Sequence, residues 1–128
     1  MPAAAPITVA APVLSGCDLM RSEVQKYPGW DARIVVAIAK AENGACDPTR
    51  HNLTATETHR DRDGNVICVG SYGVLQVGCL HYSPGEDRDD LATNVRLAYR
   101  VYNDRAKWDV SGYNAWSTYT SGKYKAHL

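Results

Sequence analysis

One carboxylic acid, Glu42, ends a segment that has the apolar pattern of a buried helix. It follows Ile38 by one helical turn, and the carbonyl dipoles at a helix C-terminus disfavour a negative charge. Apolar neighbours also exclude water, and both effects raise the pKa of a carboxyl group. A carboxyl group that is protonated near neutral pH can donate its proton to a leaving oxygen, as in glycosidic cleavage. Glu42 is therefore the first candidate for a catalytic acid, and the alternative is a solvated Glu on the outer side of its helix.

A glycine-punctuated segment, residues 70–77, carries the second set of candidate groups. Gly70 and Gly73 permit a tight backbone beside a cleft. Ser71, Tyr72 and Gln76 offer hydroxyl and amide groups that suit sugar hydroxyls and acetamido groups. The alternative is a turn whose polar side chains only satisfy backbone groups. Together with the candidate acid, this segment suggests a cleft that contains one buried carboxylic acid.

The elements that must position these groups belong to one domain, because 128 residues are enough for a single core but not for two. The 14 basic residues balance 14 acidic residues, so charge gives no reason to expect a nucleic-acid partner. No apolar run approaches the length of a membrane span. We expect a monomer that needs no cofactor and no membrane insertion.

Two helices are predicted before the glycine-punctuated segment. The first spans about 15–27, where Cys17, Met20 and Val24 recur at helical spacing. The second begins after Asp31, which can cap it, and ends at Gly44, a residue that accepts the left-handed backbone wanted there. Its predicted buried stripe consists of Ile34, Val35, Ile38 and Ala41.

A β-hairpin is predicted between Leu53 and Val69, because Thr recurs at every second position from 54 to 58, an Asp63-Gly64 turn follows, and the apolar run 66–69 returns. The acidic residues of this turn do not match an EF-hand loop, so we expect no metal site there. A long helix is predicted after the acidic stretch 87–90, with a buried face formed by Leu91, Val95, Ala98 and Tyr102. Residues 1–14 are rich in Ala and Pro and are interpreted as a flexible leader before a domain over 15–128.

Four cysteines, Cys17, Cys46, Cys68 and Cys79, lack the paired spacing of a zinc site. An even number of cysteines in a small chain is typical of two disulfides and of an oxidising compartment, and the alternative is four buried free thiols. Sequence alone leaves three pairings open. We favour a bridge between Cys46 and Cys68, because both flank the segment that must fold back on the Glu42 helix.

The order of motifs resembles that of lytic transglycosylases and goose-type lysozymes of the lysozyme-like superfamily. The motifs are Ala-Glu-Asn-Gly at 41–44, Asp-Pro followed by Asn52, Gly-Ser-Tyr-Gly-Val-Leu-Gln-Val at 70–77, Asn94, and the aromatic ending at 116–124. The resemblance implies an α+β fold, mainly helical, with a small β-hairpin lobe flanking the cleft. It also implies that Glu42 protonates the glycosidic oxygen between N-acetylmuramic acid and N-acetylglucosamine in peptidoglycan.

The resemblance assigns sugar contacts to Ser71 and Gln76, with Tyr72 beside them. The aromatic residues near the C-terminus can either stack on sugars or close the core. We expect Trp116 to pack in the core, and Tyr113 and Tyr119 to direct their hydroxyl groups toward the cleft.

A second carboxylate distinguishes two mechanisms. In vertebrate and insect lysozymes with a similar Tyr-Gly-x-Leu-Gln segment, an Asp precedes the Tyr, whereas this chain has Ser71. Lytic transglycosylases need no such Asp, because the muramic C6 hydroxyl attacks the anomeric carbon and one Glu acts first as acid and then as base. This difference favours transglycosylation. Glu57 of the hairpin is the alternative base for a hydrolytic muramidase, with Asp61 and Asp63 as weaker choices.

The expected protein is thus an enzyme that cleaves peptidoglycan strands, either as a secreted protein or as a phage virion enzyme or lysin. A non-catalytic module that binds peptidoglycan is the alternative from another class. A protonated acid in the cleft favours the enzyme, because a binding module does not need one.

Overall fold

The structure is a computed structural model that describes residues 16–54 and 57–128. The described residues form four α-helices and five short strands. The helices are α1 (Gly16–Val24), α2 (Ala32–Asn43), α3 (Leu91–Ala106) and α4 (Ser117–Thr120). The strands are β1 (His51–Asn52), β2 (Thr58–Arg60), β3 (Val66–Val69), β4 (Ser71–Tyr72) and β5 (Val77–Gly78). Short 3-10 turns follow at Cys79–His81, Gly112–Ala115 and Lys123–His127. This confirms the predicted α+β class.

Helices α2 and α3 begin and end where local signals predict. The Asp31 carboxylate accepts hydrogen bonds from the backbone N–H groups of Arg33 and Ile34, which caps α2. Gly44, with φ of 73°, donates its N–H to the Lys40 carbonyl and ends the helix. Asp90 caps α3 by accepting from the N–H of Thr93. The acidic stretch before α3 therefore supplies the helix start, as predicted.

Helix α2 is buried on more than the single face that the sequence predicts. All five residues from Val35 to Ala39 are buried. The helix packs against α1, α4 and the C-terminal 3-10 turn, so its sides are covered by different neighbours. Met20 of α1 and Leu97 of α3 join Ile38 in the same core. Glu42 consequently extends from the last turn of a buried, central helix.

Two small antiparallel sheets lie between α2 and α3 in the chain. Strands β2 and β3 form the predicted hairpin, with Thr58 opposite Val69 and His59 opposite Cys68. Its turn is held by Asp61, whose carboxylate accepts from the N–H groups of Asp63 and Asn65. The second sheet has the order β1-β4-β5. The sequence does not predict this sheet, because its strands contain two residues each and show no alternation.

Two disulfides form, but the favoured Cys46–Cys68 pairing is wrong. The bridges join Cys17 to Cys46 and Cys68 to Cys79, with Cα–Cα distances of 5.0 and 6.0 Å. Helices α1 and α2 pack on each other, which brings the start of α1 beside the end of α2. The hairpin instead returns to the turn that follows β5. The two disulfides are compatible with an extracellular location.

The predicted leader, 1–14, lies outside the described residues, as do Ser15 and residues 55 and 56 of the predicted hairpin. Within 16–54 and 57–128, no helix is both long and apolar enough to cross a membrane.

Candidate functional site

A cavity of about 340 Å³ brings together four of the predicted site residues, Glu42, Glu57, Ser71 and Gln76. They come from the end of α2, the start of the hairpin, β4 and the turn before β5. The remaining lining residues are Asn52, His59, Val77, Gly78, Leu80, His81, Val101, Ala115, Trp116 and Ser117. Acidic, amide, hydroxyl and imidazole groups thus face one concave space, as is typical of a ligand site.

Glu42 is partly buried on the cavity wall. Burial raises the pKa of its carboxyl group above the ordinary value. The Thr118 hydroxyl opposes this rise, because Thr118 Oγ1 donates a hydrogen bond to Glu42 Oε1 at 3.0 Å and favours the ionised form. The nearby negative charge of Glu57 raises the pKa further, whereas the positive charge of Lys123 lowers it. The net direction is upward, which suits a proton donor.

Glu57 supplies a second carboxylate to the same cavity. Ser71 is only 6% exposed, and its Oγ donates a hydrogen bond to Glu57 Oε2 at 2.9 Å. The sequence lacks a carboxylate at position 71, but the fold places the carboxylate of Glu57 directly on the Ser71 hydroxyl. The carboxylate predicted as the alternative base therefore lies in the same cavity as Glu42.

The turn between β4 and β5 is held by side chains from three other elements. Asn43 Nδ2 donates to the Val74 carbonyl at 2.9 Å, and Trp116 Nε1 donates to the Leu75 carbonyl at 2.7 Å. The fully buried Asn94 accepts from the Leu75 N–H at 3.1 Å and donates to the Tyr72 carbonyl at 2.7 Å. Trp116 itself is buried in the core, as predicted. The turn is therefore rigidly placed relative to the Glu42 helix.

Gly73 is needed for this arrangement. Its φ of +80° favours glycine, and a Cβ atom there would lie 2.4 Å from the side chain of Asn94. Gln76, three residues later, lines the cavity and donates from Nε2 to the Gly73 carbonyl at 2.8 Å. Its Oε1 has no donor among the described residues, so this oxygen is available to a ligand.

The three predicted tyrosines lie outside the cavity. Tyr72 is buried, and its hydroxyl donates to the Val69 carbonyl and accepts from Arg88 Nη1. Tyr113 is also buried, and its hydroxyl accepts from the Asp31 N–H at 3.0 Å. The Tyr113 hydroxyl therefore does not point into the cleft, because it accepts a hydrogen bond from the backbone at the start of α2.

Tyr119 stacks with Tyr124 at 4.7 Å and lines a separate, open hollow near the C-terminus. The cavity wall nearest to it in the chain is formed by Trp116 and Ser117. Tyr119 therefore does not line the candidate cavity.

Sequence reasoning missed Asn52, His59, His81 and Thr118 as residues of the site. The first three line the cavity, and Thr118 binds Glu42. The two histidines match no recognisable catalytic or ligand spacing, so the sequence indicates only polar surface positions. Thr118 belongs to the quoted aromatic ending, but a Thr gives no sign of its partner 76 residues away. The weaker candidates Asp61 and Asp63 lie in the hairpin turn and not on the cavity wall.

Replacing Thr118 by Val tests its control of Glu42. Val keeps the shape but removes the donor that favours the ionised carboxyl group, so the pKa of Glu42 should rise further. If protonated Glu42 is the active form, the alkaline limb of the kcat/KM profile on cell walls should move to higher pH. Thr118→Ser should restore the parent profile.

The exposed Thr120 provides a matched control, because its hydroxyl donates to the Ser117 carbonyl and not to Glu42. Thr120→Val should leave the pH profile unchanged. An alkaline limb that stays in place in Thr118→Val would show that this hydroxyl does not tune the acid.

Comparisons of the chain with family models, with curated proteins and with solved structures found no match.

Proposed function

We propose that this protein cleaves the β-1,4 bond between N-acetylmuramic acid and N-acetylglucosamine in peptidoglycan, with Glu42 as the general acid. The observation that carries this proposal is a partly buried carboxyl group with a raised pKa that shares a cavity with a second carboxylate. Most glycoside hydrolases use two carboxyl groups at one site. The amide and hydroxyl groups of Asn52, Ser71 and Gln76 suit the hydroxyl and acetamido groups of such a glycan.

The hydrogen bond from Ser71 to Glu57 favours hydrolysis as the chemical route. It holds one carboxylate oxygen of Glu57 and leaves the other to act on water. In this scheme Glu42 protonates the leaving oxygen while Glu57 removes a proton from the attacking water. Ser71 acts as a positioning residue, since it orients Glu57.

Transglycosylation is the second route, and the motif resemblance supports it. Glu42 would act first as acid and then as base, and the C6 hydroxyl of the muramic residue would replace water. The upward pKa shift of Glu42 suits both routes. The second route assigns no chemical step to Glu57.

The masses of the soluble products test this proposal. Purified peptidoglycan is incubated with the protein, and the released fragments are analysed by mass spectrometry. Hydrolysis yields muramic reducing ends, which we expect. Transglycosylation yields anhydro-muramic ends, which are lighter by one water and would assign the reaction to the second route.

A binding module without activity would behave differently in the same experiment. It would sediment with insoluble peptidoglycan and release no soluble fragment. That result would reject the proposed enzymatic activity.

A further inference from the structure

A second hollow adjoins the candidate cavity on the other side of Leu80. It measures about 310 Å³, and its walls include Ile67, Tyr82, Glu86, Arg88 and the Cys68–Cys79 disulfide. Leu80 is 53% exposed and lines both spaces. A ligand that fills the candidate cavity can therefore extend a branch over Leu80 into the second hollow.

The guanidinium group of Arg88 is held rigidly on the wall of this hollow. It lies over the ring of Tyr72 at 4.7 Å and over that of Tyr82 at 5.9 Å. Its Nη1 donates to the Tyr72 hydroxyl at 2.9 Å. A planar cation with several donors, already ordered by packing, can bind a carboxylate with little further loss of freedom.

No carboxylate of the described residues forms an ion pair with Arg88. The carboxylates nearest in the chain have other partners. Glu86 pairs with Arg96, Asp89 pairs with His51, and Asp87 accepts from the backbone N–H of Asp89. Arg88 thus offers a positive charge to a ligand in the hollow, while Arg96 neutralises the Glu86 carboxylate on the same wall.

One part of the remaining wall favours small apolar groups beside that charge, and Ser83, Pro84 and Gly85 complete the hollow. Ile67 is 57% exposed, and together with Leu80 and the disulfide it forms an apolar surface. A ligand that suits both features is a short peptide with a carboxylate and small aliphatic side chains. In a peptidoglycan strand, each muramic acid can carry such a peptide on its lactyl group.

We infer that the hollow around Arg88 binds the acidic peptide branch of the peptidoglycan strand, with a peptide carboxylate on the Arg88 guanidinium. The inference rests on the proposed function, because the glycan in the cavity would deliver the peptide. The peptide adds affinity for strands that retain their branches and takes no part in bond cleavage.

Calorimetric titration of the Glu42→Gln protein, in which the ligand should not be consumed, tests the inference. The probes are a tetrasaccharide of the glycan with its peptides, the same tetrasaccharide with the peptides removed, and one with the peptide carboxylates amidated. The intact probe should bind about tenfold more tightly than the other two, which is the effect of one charge-assisted contact. The probe without peptides retains its lactyl carboxylate, so it separates that group from the peptide.

Arg88→Met retains the apolar stem but loses the charge, and it should lower the affinity for the intact probe to that of the amidated probe. Arg62→Gln, which changes an exposed arginine of the hairpin turn, should have no effect. Equal affinity of the intact and amidated probes for the protein with Arg88 in place would overturn the inference even if Arg88→Met failed to fold.

The free peptide provides a test that is independent of the glycan. Its binding should be lost on amidation and in Arg88→Met, whatever the glycan does. If it binds in this way while intact peptidoglycan yields no soluble fragments with the parent protein, the Arg88 site stands and the proposed function fails.

Discussion

Glu42→Gln is expected to lower the rate of cell-wall lysis by about 10³-fold, which is within the range for loss of a general acid. Gln has nearly the same shape as Glu but cannot donate a proton to the leaving oxygen. Its side-chain oxygen can still accept the hydrogen bond from Thr118. The measurement is the decrease in turbidity of purified cell walls, together with the yield of soluble fragments.

The stability of the same variant distinguishes lost chemistry from lost structure. Burial raises the pKa of Glu42 in the folded protein, so the folded state keeps this proton where the unfolded chain has released it. The free energy of unfolding therefore falls as pH rises from the ordinary Glu pKa toward the raised one. Gln stays neutral and lacks this fall. We expect Glu42→Gln to unfold at pH 7 at the temperature of the parent protein or above it.

A matched control is Glu23→Gln, because the carboxylate of Glu23 lies on α1, pairs with Lys26 and does not line the cavity. It should retain full activity. Lysis by Glu42→Gln at the parent rate would remove Glu42 from the mechanism and with it the proposed function.

Glu57→Gln is expected to lower the hydrolytic rate by about 10²-fold, because Gln cannot take a proton from water. The Ser71 hydroxyl can still donate to the amide oxygen of the substituted side chain, so the local fold should be preserved. The measurement is the rate of release of muramic reducing ends. The rate of formation of anhydro-muramic ends should be followed in the same samples.

The two routes differ in their response to this substitution. Hydrolysis needs the second carboxylate, whereas transglycosylation does not. Asp63→Asn, which changes an exposed carboxylate in the turn of the same hairpin, should have no effect and serves as the control. Full activity of Glu57→Gln with anhydro-muramic products would assign the cavity to transglycosylation.

Local signals explain why much of the fold could be predicted. Asp31 and Asp90 cap the helices that follow them, and Gly44 ends α2 in a positive-φ conformation. The Asp63-Gly64 turn forms the predicted hairpin. Each of these features depends on interactions within a few residues, so residue types at short spacing are sufficient to indicate them.

Local signals did not predict the disulfide pairing or the positions of the tyrosine side chains. Cys46 is covalently joined to Cys17 and not to Cys68, because helix packing and not chain proximity to the hairpin decides its neighbour. Tyr113 gave no sequence sign that its hydroxyl binds the N–H of Asp31, 82 residues earlier in the chain. Aromatic content alone cannot tell a core contact from a ligand contact.

The sequence by itself determined the hairpin, the helix that carries Glu42 in its last turn and the upward direction of the Glu42 carboxyl pKa. These follow from residue periodicity, capping groups and apolar neighbours along the chain. Only the tertiary structure formed the hydrogen bonds from Ser71 to Glu57 and from Thr118 to Glu42. It also placed Arg88 on the wall of an adjoining hollow. The first two of these contacts join residues 14 and 76 positions apart, and they depend on how helices and strands pack after the chain has turned back on itself.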